Sequence, residues 1–456
     1  MEYTALLELQ RAYFESGATL SYGARLEALR RLKAAIEANE QPLYDALHAD
    51  LGKSPSESYM TEVGFTLAEL SFTLSHLRRW MGDRRRPTPI SQFCARSFEH
   101  SSPYGVTLIM SPWNYPVMLT LTPLIASIAA GNTAVVKPSA YSPATSQVLE
   151  QLLSQAFDPE YVAVVTGGRQ ANAGLLEEKF DYIFFTGGKV VGRLVLEKAA
   201  VHLTPVTLEL GGKSPCIVDE TANLKRAAAR VAFGKYLNCG QTCVAPDYLL
   251  VQEGVKDRFL ALLKEQIVAQ YGKNPLENGN YGKIITEKHF RRITKLYAGE
   301  QDVWGGQADE AALRIAPAVV DGVTWDSPLM GEEIFGPVLP VLTFRNIEEI
   351  PALVNRRPTP LALYLFTTSA RNKQFVVERV QFGGGCINDT IIHLATSHMG
   401  FGGVGGSGMG SYHGKRGFDT FSHTKSIVDK ANWLDLPMRY QPYTPQKDKM
   451  VRRFLK

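Results

Sequence analysis

The fold is decided by "VTLIM" (Val106–Met110), followed by "PVMLTLTPLIASIAAG" (Pro116–Gly131) and "TAVVKP" (Thr133–Pro138). The first and last runs are short, apolar and rich in β-branched residues, which is typical of strands buried on both faces. The middle run is long enough for a helix, and the glycine at its end is a helix stop signal. The order strand, helix, strand predicts one βαβ unit of a parallel sheet.

No charged residue occurs between Ser101 and Val136, as in a membrane-spanning segment. A spanning helix needs roughly 20 consecutive apolar residues. This stretch is divided into shorter pieces by Pro103, Pro112, Pro116 and Pro123. We therefore expect buried core here and no integral membrane segment.

Strand-like runs and helical patterns continue to alternate along the chain. The apolar runs "YVAVVTGG" (Tyr161–Gly168) and "YIFFTGG" (Tyr182–Gly188) are each followed by a helical pattern, and a second alternating series begins after Leu210. Such alternation indicates parallel sheets covered by helices on both faces. We predict an α/β protein with two doubly wound domains that join near residues 207–212.

The composition excludes several classes of protein. The chain has 456 residues, of which 45% are hydrophobic and 21% charged, as in a globular protein with more than one domain. Its 49 basic and 45 acidic residues are interspersed, so no nucleic-acid partner is predicted, and the basic run "GDRRRPT" (Gly82–Thr88) is interpreted as a solvated connector. Five cysteines do not suit a secreted disulfide scaffold. Since the N-terminus also lacks a leader pattern, we expect a cytoplasmic protein.

Two glycine-rich stretches are candidates for binding nucleotide phosphates. "GVGGSG" (Gly403–Gly408) fits the letters of the dinucleotide motif G-x-G-x-x-G, but no strand precedes it and no clean helix follows, so we predict a turn-rich loop. "FFTGGKVVG" (Phe184–Gly192) has the required context of strand, glycine turn and helix. There the free amides at the start of the helix would face a pyrophosphate, and Gly188 would let the backbone approach it closely.

The cysteine pair in "NCGQTC" (Asn238–Cys243) is compatible with a disulfide, a metal site or a reactive thiol. A closed zinc site needs about four ligands. Because Cys94, Cys216 and Cys386 stand alone in the sequence, no metal is predicted. A disulfide is disfavoured in a reducing compartment, and an inert buried thiol is the ordinary alternative for either cysteine.

Two polar residues are placed close to buried strands. Glu209, in "TLELGGKSP" (Thr207–Pro215), lies on an apolar strand that runs into a Gly-Gly turn, where an unpaired carboxylate is unfavourable. It fits a structural ion pair as well as a general base. Asn114, in "SPWNYP" (Ser111–Pro116), fits either a turn residue or a hydrogen-bond donor to an oxyanion.

In this order, and together with "EEIFGPV" (Glu332–Val338), these motifs resemble the aldehyde dehydrogenase superfamily. The resemblance extends from the first helices to the end of the chain. The C-terminal stretches "GMGSYHGK" (Gly408–Lys415) and "LPMRYQPY" (Leu436–Tyr443) are similar to the class 3 branch of that superfamily. The combination is far more specific than any single motif.

The resemblance implies NAD(P)-dependent oxidation of aldehydes to carboxylic acids. Cys243 matches the nucleophile that forms a thiohemiacetal and then a thioester, which makes Cys239 a bystander. The Asn114 amide and the backbone N–H of Cys243 match the donors to the oxyanion. Glu209 matches the general base that activates water for hydrolysis of the thioester, and burial is expected to raise its pKa toward the working range.

The resemblance also implies a set of cofactor-binding residues. Lys137, in "VVKPS", matches a contact to the adenosine ribose. The residues that match the pyrophosphate turn and the nicotinamide ribose and ring are Gly187, Gly188, Gly192, Glu333 and Phe335. Gly188 departs from relatives that carry a phosphate-touching side chain there.

A second departure concerns the choice between NAD and NADP. Many relatives place a glutamate directly after "KPS", where this chain has Ala140. The missing carboxylate removes a repulsion against a 2′-phosphate, and Lys137 remains nearby as a cation. We therefore predict that NADP is accepted alongside NAD.

Substrate choice is less constrained by the sequence. Tyr115, Met118 and Ile391 are expected to line the aldehyde tunnel, and this apolar and aromatic mix favours medium-chain aliphatic or aromatic aldehydes. Core packing accounts for Met118 and Ile391 equally well.

The resemblance implies a domain division and a homodimer. Residues 1–83 and 106–208 are expected to bind NAD(P), and residues 209–418 to form the catalytic domain. Residues 84–105 and 419–456 are expected to form a small β element for bridging and oligomerisation, with a C-terminal tail. Its candidate strands are "ARSFEHSSPYG" (Ala95–Gly105) and "HTKSIVDK" (His423–Lys430).

Three other functions are weighed against this one. A CoA-acylating dehydrogenase of the same fold is disfavoured by Glu209. A cysteine hydrolase or thioesterase would need a histidine partner, and no nearby histidine suggests itself. A non-catalytic protein on a dehydrogenase scaffold is disfavoured by the joint presence of Cys243, Glu209 and Asn114.

Overall fold

The computed structural model describes residues 2–455, so that Met1 and Lys456, the ends of the predicted domain ranges, lie outside the described residues. The helices are α1 (Tyr3–Glu15), α2 (Tyr22–Ala38), α3 (Glu40–Leu51), α4 (Pro55–Ser58), α5 (Gly64–Trp80), α6 (Met118–Ala130), α7 (Pro143–Ala156), α8 (Arg169–Glu177), α9 (Lys189–His202), α10 (Leu224–Tyr236), α11 (Lys256–Tyr271), α12 (Glu287–Tyr297), α13 (Pro328–Gly331), α14 (Ile350–Asn355), α15 (Ala370–Arg379), α16 (Gly414–Thr420) and α17 (Pro445–Phe454).

The strands are β1 (Arg84–Arg86), β2 (Ala95–Pro103), β3 (Val106–Met110), β4 (Thr133–Lys137), β5 (Val162–Val164), β6 (Tyr182–Gly187), β7 (Val206–Leu210), β8 (Pro215–Val218), β9 (Tyr248–Gln252), β10 (Asp302–Gly305), β11 (Ala308–Asp309), β12 (Arg314–Ile315), β13 (Ala318–Asp321), β14 (Val338–Phe344), β15 (Ala362–Phe366), β16 (Gly384–Ile387), β17 (Gly408–Met409) and β18 (Ser422–Lys430). The predicted α/β class, with two sheets built on parallel strands, is confirmed.

The first sheet has six strands in the order β17-β7-β6-β3-β4-β5. All neighbours in it are parallel except β17, which runs antiparallel to β7. Alternate residues of β3 serve opposite faces: Ile109 packs in the cluster that holds α2 and α6, whereas Leu108 packs with α1, α8 and α9. Both faces are therefore buried, as expected for a doubly wound sheet.

The βαβ unit predicted from residues 106–138 forms β3, α6 and β4, with β3 and β4 paired in parallel. Every residue of α6 is buried, and the helix ends at Gly131, whose φ of 94° is readily adopted by glycine. The uncharged stretch is thus core from Gly105 to Val136, apart from the half-buried Pro112 and Trp113, whereas residues 101–104 are half-buried and residues 101–103 end β2. Among the described residues, no helix is long and apolar enough to cross a membrane.

The second sheet has seven strands in the order β10-β13-β14-β9-β8-β15-β16. Its strands are parallel apart from β10, which pairs antiparallel with β13 at one edge. Strands β7 and β17 both belong to the first sheet. The last two residues of β7, Glu209 and Leu210, and the whole of β17 come from the range predicted to be catalytic. At these two strands, the division of the chain between the two sheets differs from the predicted domain ranges. The domain division itself stays a prediction.

A third sheet is antiparallel, with the order β1-β2-β18. The two segments proposed as a bridging element, β2 and β18, pair from Ala95↔Lys430 to Pro103↔Ser422. Asn132 fastens the start of this sheet to the core, because its Nδ2 donates to the carbonyl of Phe421 and its Oδ1 accepts from the N–H of Gly105. The use of this sheet between subunits stays a prediction.

The position of the site follows from the order of the first sheet. From β3 the chain adds β4 and β5 on one side, and then β6 and β7 on the other side. Ligands of open α/β sheets bind beyond the carboxyl ends of the strands at such a switch point. The Asn114 loop follows β3 there, and Gly187–Gly188 follows β6.

Candidate active site

A cavity of about 570 Å³ lies beyond the carboxyl ends of β3, β6 and β7. The structure brings together seven of the predicted site residues in its lining, namely Asn114, Gly187, Gly188, Glu209, Cys243, Glu333 and Phe335. Four cationic side chains, those of Lys189, Lys213, Arg292 and Arg357, also line it. We call this the polar cavity.

A second cavity of about 180 Å³ is almost entirely apolar. The three residues predicted to line an aldehyde tunnel, Tyr115, Met118 and Ile391, all line it, and they are joined by aromatic residues such as Phe65 and Phe401. We call this the apolar cavity. The two cavities share Leu119 and Cys243, so the sulfur stands where they meet.

An unusual backbone conformation forms the loop that carries Cys243. Asn238, Cys239 and Gly240 have φ values of 50°, 52° and 73°, in the left-handed region. A side chain at Gly240 would collide with the carbonyl of Gly336, so the loop can sit against that segment only with glycine here. The bend leaves Cys239 buried and Cys243 partly exposed.

Cys239 and Cys243 have different surroundings. Cys239 lines neither the polar nor the apolar cavity, and burial raises its pKa. Its role as a bystander stays a prediction. Burial raises the pKa of Cys243 to about 12, with further contributions from the charges of Glu333 and Glu209. The Cys243 thiol is thus protonated at neutral pH until a base or a bound ligand changes its surroundings.

Glu209 on β7 is buried, and neither carboxylate oxygen has a hydrogen-bond partner among the described residues. Burial raises the pKa of this carboxyl group well above its usual value. An ion pair, the structural alternative for Glu209, is therefore absent from the described part of the chain. A buried carboxyl group with a raised pKa is suited to accept a proton near neutral pH.

The side-chain amide of Asn114 lies between the loop after β3 and the Cys243 loop. Its Nδ2 donates to the carbonyl of Gln241, 3.0 Å away, which ties the loop after β3 to the Cys243 loop. Since an amide nitrogen carries two hydrogens, one donor remains for another acceptor. Tyr115, the next residue, makes a second tie through its hydroxyl, which lies 2.6 Å from Thr242 Oγ1.

Glu333 faces the Gly-Gly turn that follows Glu209. A side chain at Gly211 would overlap its carboxylate, and the N–H of Gly212 bonds to it. Burial, together with the charge of Asp247, raises the pKa of Glu333 to about 8. Phe335, with a φ of 50°, places its ring edge-on to Trp113 at 5.4 Å between centroids.

Two predicted cofactor residues do not line the polar cavity. Lys137 ends β4, and its Nζ donates to the carbonyl of Pro138 at 2.7 Å. Burial lowers the pKa of Lys137 to about 8. Gly192 lies in α9, where a side chain would press against Leu210, so it sets the contact between helix and sheet.

The residues present fit a dinucleotide. Helix α9 begins directly after Gly188, a side chain at Gly188 would meet nothing within 4 Å, and the adjacent wall carries the cation Lys189. Glu333 and Phe335 also line the cavity, and the adjacent Gly336 packs against Gly240 of the Cys243 loop. For metals, no cluster of three or more His, Cys, Asp or Glu side chains suited to an ion occurs within residues 2–455.

Comparison with known proteins gives the family. Residues 2–427 match the aldehyde dehydrogenase family. The chain belongs to that family.

Its relatives include members of the class 3 branch. The chain is 45% identical to 4,4'-diaponeurosporen-aldehyde dehydrogenase of Staphylococcus aureus (strain NCTC 8325 / PS 47), over 98% of this chain and 97% of the relative. It is 43% identical to aldehyde dehydrogenase family 3 member B1 of Homo sapiens, over 97% and 95%. A solved substrate-bound state of Staphylococcus aureus AldH superposes with a TM-score of 0.97 at 44% identity, covering 99% of both chains. The predicted class 3 resemblance is confirmed.

Several residues of this candidate site are not predicted from the sequence. His289 and Arg292 line the polar cavity from α12, and Trp113 lines it beside Asn114. The spacing of His289 and Arg292 places them on one face of a helix, but nothing local shows that this face meets the Cys243 loop. Trp113 lies next to Asn114 in "SPWNYP" (Ser111–Pro116), so its neighbourhood is a signal for a place in the site.

The coupling between Cys243 and Glu333 predicts a pH-dependent alkylation rate. Glu333 becomes charged above about pH 8 and then opposes formation of the thiolate. We expect Glu333→Gln to leave the iodoacetamide reaction of Cys243 unchanged below pH 8 and to accelerate it above pH 8, by about tenfold if the pKa of the thiol falls by one unit. Stopped aliquots analysed by mass spectrometry measure the rate. Cys239→Ala is the matched control, and a Glu333→Gln rate equal to that of the native protein at pH 10 would contradict the coupling.

Proposed function

We propose that this chain oxidises aldehydes to carboxylic acids with NAD(P), through a covalent intermediate on Cys243. The observation that carries the proposal is the place of this sulfur at the junction of a polar and an apolar cavity. A dinucleotide in the polar cavity and an aldehyde in the apolar cavity would meet there. Glu209 and Asn114 stand in the wall of the polar cavity beside it.

Attack by Cys243 begins the reaction. The thiol releases its proton to solvent in the polar cavity, the sulfur forms a bond to the aldehyde carbon, and the carbonyl electron pair moves to oxygen. The oxyanion accepts hydrogen bonds from the remaining N–H of the Asn114 amide and from the backbone N–H of Cys243. Because Asn114 is already fixed by its bond to Gln241, it needs little reorientation to donate.

Residues of the polar cavity hold the cofactor in the proposed reaction. The start of α9 with Gly187 and Gly188 receives the pyrophosphate, and Glu333 with Phe335 holds the nicotinamide riboside. Lys137 is proposed to reach the adenosine ribose by leaving its bond to Pro138, and Gly192 keeps α9 close to the sheet. Bound NAD(P) supplies the acceptor for the hydride that leaves the former aldehyde carbon.

Hydrolysis of the thioester completes the reaction. Glu209 takes a proton from water as the water oxygen attacks the acyl carbon, the C–S bond breaks, and the electron pair returns to the sulfur of Cys243. A carboxylate with partners would be a weaker base, so the unpaired, buried state of Glu209 supports this role. Glu209 also argues against transfer of the acyl group to CoA.

Two substitutions separate the steps of this mechanism. We expect Cys243→Ser to abolish NAD(P)H formation with every aldehyde, because a hydroxyl does not replace the thiolate. We expect Glu209→Gln to release about one equivalent of NAD(P)H per site and then to stall as an acyl-enzyme. Rapid-mixing absorbance and intact-protein mass measure both results. Steady turnover by either variant at the native rate, or acyl-CoA as the product when CoA is added, would contradict the mechanism.

Cofactor choice is proposed to be dual, with both NAD and NADP accepted. Ala140 is exposed directly after the "KPS" motif, so no carboxylate stands there to repel a 2′-phosphate. Lys137, three residues before Ala140, supplies a cation at the end of β4.

Restoring an acidic side chain tests this cofactor choice. We expect Ala140→Glu to lower kcat/KM for NADP by about tenfold, equivalent to roughly 1.4 kcal/mol of repulsion, and to leave the value for NAD within a few-fold. Ala140→Gln is the matched control for size, and initial rates at varied cofactor concentration give both values. A native enzyme that prefers NAD by more than about a thousandfold would reject dual use.

Medium-chain aliphatic or aromatic aldehydes are the proposed substrates. The lining of the apolar cavity is made of side chains such as Met60, Phe233 and Leu237, besides Tyr115 and Met118. Burial of an apolar chain or ring against these side chains supplies the binding energy.

A cytoplasmic homodimer is the proposed state of the protein. All five cysteines are free, which suits a reducing compartment. Strand β18 is the edge of its sheet and is exposed for most of its length, including Ile427 and Val428. A long exposed edge strand usually needs a cover, and a second copy of the chain is the proposed one.

Sedimentation tests the proposed dimer. We expect sedimentation velocity at micromolar concentration to give about twice the mass of the 50.4 kDa chain. Val428→Lys, which places a charge on the exposed face of β18, should shift the species toward monomer. A native protein that sediments as a monomer would reject the assignment.

A further inference from the structure

A fully buried ion pair lies behind the Asn114 loop and has no part in the mechanism above. Lys53 and Glu62 have no exposed surface, and Lys53 Nζ lies 2.6 Å from Glu62 Oε1. Removal of two charges from water is unfavourable, and a buried pair is often no more stable than an apolar replacement. Stability alone therefore gives no reason for the pair.

The segment that carries the pair has a distinctive backbone. Residues Tyr59–Val63 form a π-helical turn between α4 and α5. Such turns add a residue to the helix and are frequent at functional sites. Here Met60 and Thr61 line the apolar cavity, while Glu62 is directed into the interior.

The ion pair holds both ends of the segment from Asn114 to Met118. Lys53 Nζ donates to the carbonyl of Asn114 at 3.1 Å and lies 3.9 Å from the centre of the Tyr115 ring. Glu62 Oε2 accepts from the N–H groups of Val117, at 2.8 Å, and Met118, at 3.1 Å. One charge thus fixes the start of this segment and the opposite charge fixes its end.

The carbonyl of Asn114 also connects the segment from Asn114 to Met118 to the Cys243 loop. Asn238 Nδ2 donates to the carbonyl of Asn114 at 2.8 Å and to that of Gln241 at 3.2 Å. From the segment of Lys53 and Glu62, Glu57 Oε1 accepts the backbone N–H of Asn238 at 2.9 Å. The carbonyl of Asn114 is therefore shared by Lys53 and Asn238, one from each side.

We propose that Lys53 and Glu62 are positioning residues that fix the Asn114 amide relative to the Cys243 sulfur. They touch neither cavity, and they act through the backbone of residues 114–118 and through Asn238. The kinetic consequence rests on the proposed function, because it requires Asn114 to stabilise an oxyanion. The structural consequence, rigidity of the two loops, does not depend on it.

The test replaces both charges at once with Lys53→Met/Glu62→Gln. Glutamine retains an oxygen that can accept from Val117 and Met118, and removal of both charges avoids an unpaired buried ion. We expect kcat with a saturating aldehyde to fall about 10- to 100-fold, since a displaced oxyanion donor has an effect of that order. The KM for NAD(P) should stay within twofold. Amide hydrogen exchange of residues 111–118 and 238–243 should become at least about tenfold faster.

A matched control and a second variant separate positioning from folding. Lys256→Met/Asp321→Asn removes a partly buried pair, with Nζ and Oδ2 2.8 Å apart, that lines neither cavity, and it should change neither kcat nor exchange in the two loops. Asn238→Gly keeps the left-handed backbone, removes the shared amide and should reproduce the loss of kcat even if the double variant does not fold.

The outcomes are distinguishable from failure of the proposed function. If the native chain oxidises no aldehyde, the proposed function fails, and hydrogen exchange still decides whether the pair holds the two loops. A double variant that melts at a lower temperature but retains native kcat and loop exchange would show a purely structural pair and overturn the proposal. A native kcat in Asn238→Gly would overturn the link through the Asn114 carbonyl.

Discussion

Desolvation at the place where the two sheets meet governs the chemistry of this site. Three ionisable groups, Cys243, Glu209 and Glu333, stand there with too little water to support their charges, and the pKa of each is raised. A raised pKa favours the neutral form of each group, which limits repulsion between three potential anions in one cavity. The proposed nucleophile and base would therefore stay mostly un-ionised until a ligand binds, because ionisation of one group makes ionisation of the others harder.

Close approach of backbone segments makes this arrangement possible. Glu333 fits only because Gly211 has no side chain, and the Cys243 loop fits against Gly336 only because Gly240 has none. Glu209 is placed by register: it pairs with Gly408 of β17, so a two-residue strand from the C-terminal glycine-rich loop covers that edge of the sheet. "GVGGSG" thus serves packing beside the carboxylate, in keeping with the turn-rich loop predicted for it.

Much of this could be predicted from the sequence, for identifiable reasons. The uninterrupted apolar runs of β3, β4 and β6 indicate strands that are buried on both faces. This signal is local, because it can be seen in the sequence of each strand alone. Asn114, Glu209 and Cys243 were selected through a family resemblance, since each residue alone fitted an ordinary structural role. Lys53 and Glu62 are not predicted, because a lysine and a glutamate in a polar segment look like solvated residues. Only the tertiary contacts show that they are buried. His289 and Arg292 were missed for the same reason, because no local pattern shows which face of α12 meets the cavity.

The contrast between the two cavities carries a consequence for how ligands are sorted. Loss of hydration would oppose entry of a charged dinucleotide into the apolar cavity, whereas the polar cavity offers it the cations Lys189, Lys213 and Arg292. In the proposed reaction the dinucleotide and the aldehyde would therefore lie on different sides of Cys243. Cys243 lies at the boundary and Asn114 lines the polar cavity beside it, so a rigid support from the interior would have its greatest effect on the proposed reaction there. The proposed positioning role would account for a buried ion pair behind this boundary, in place of apolar packing.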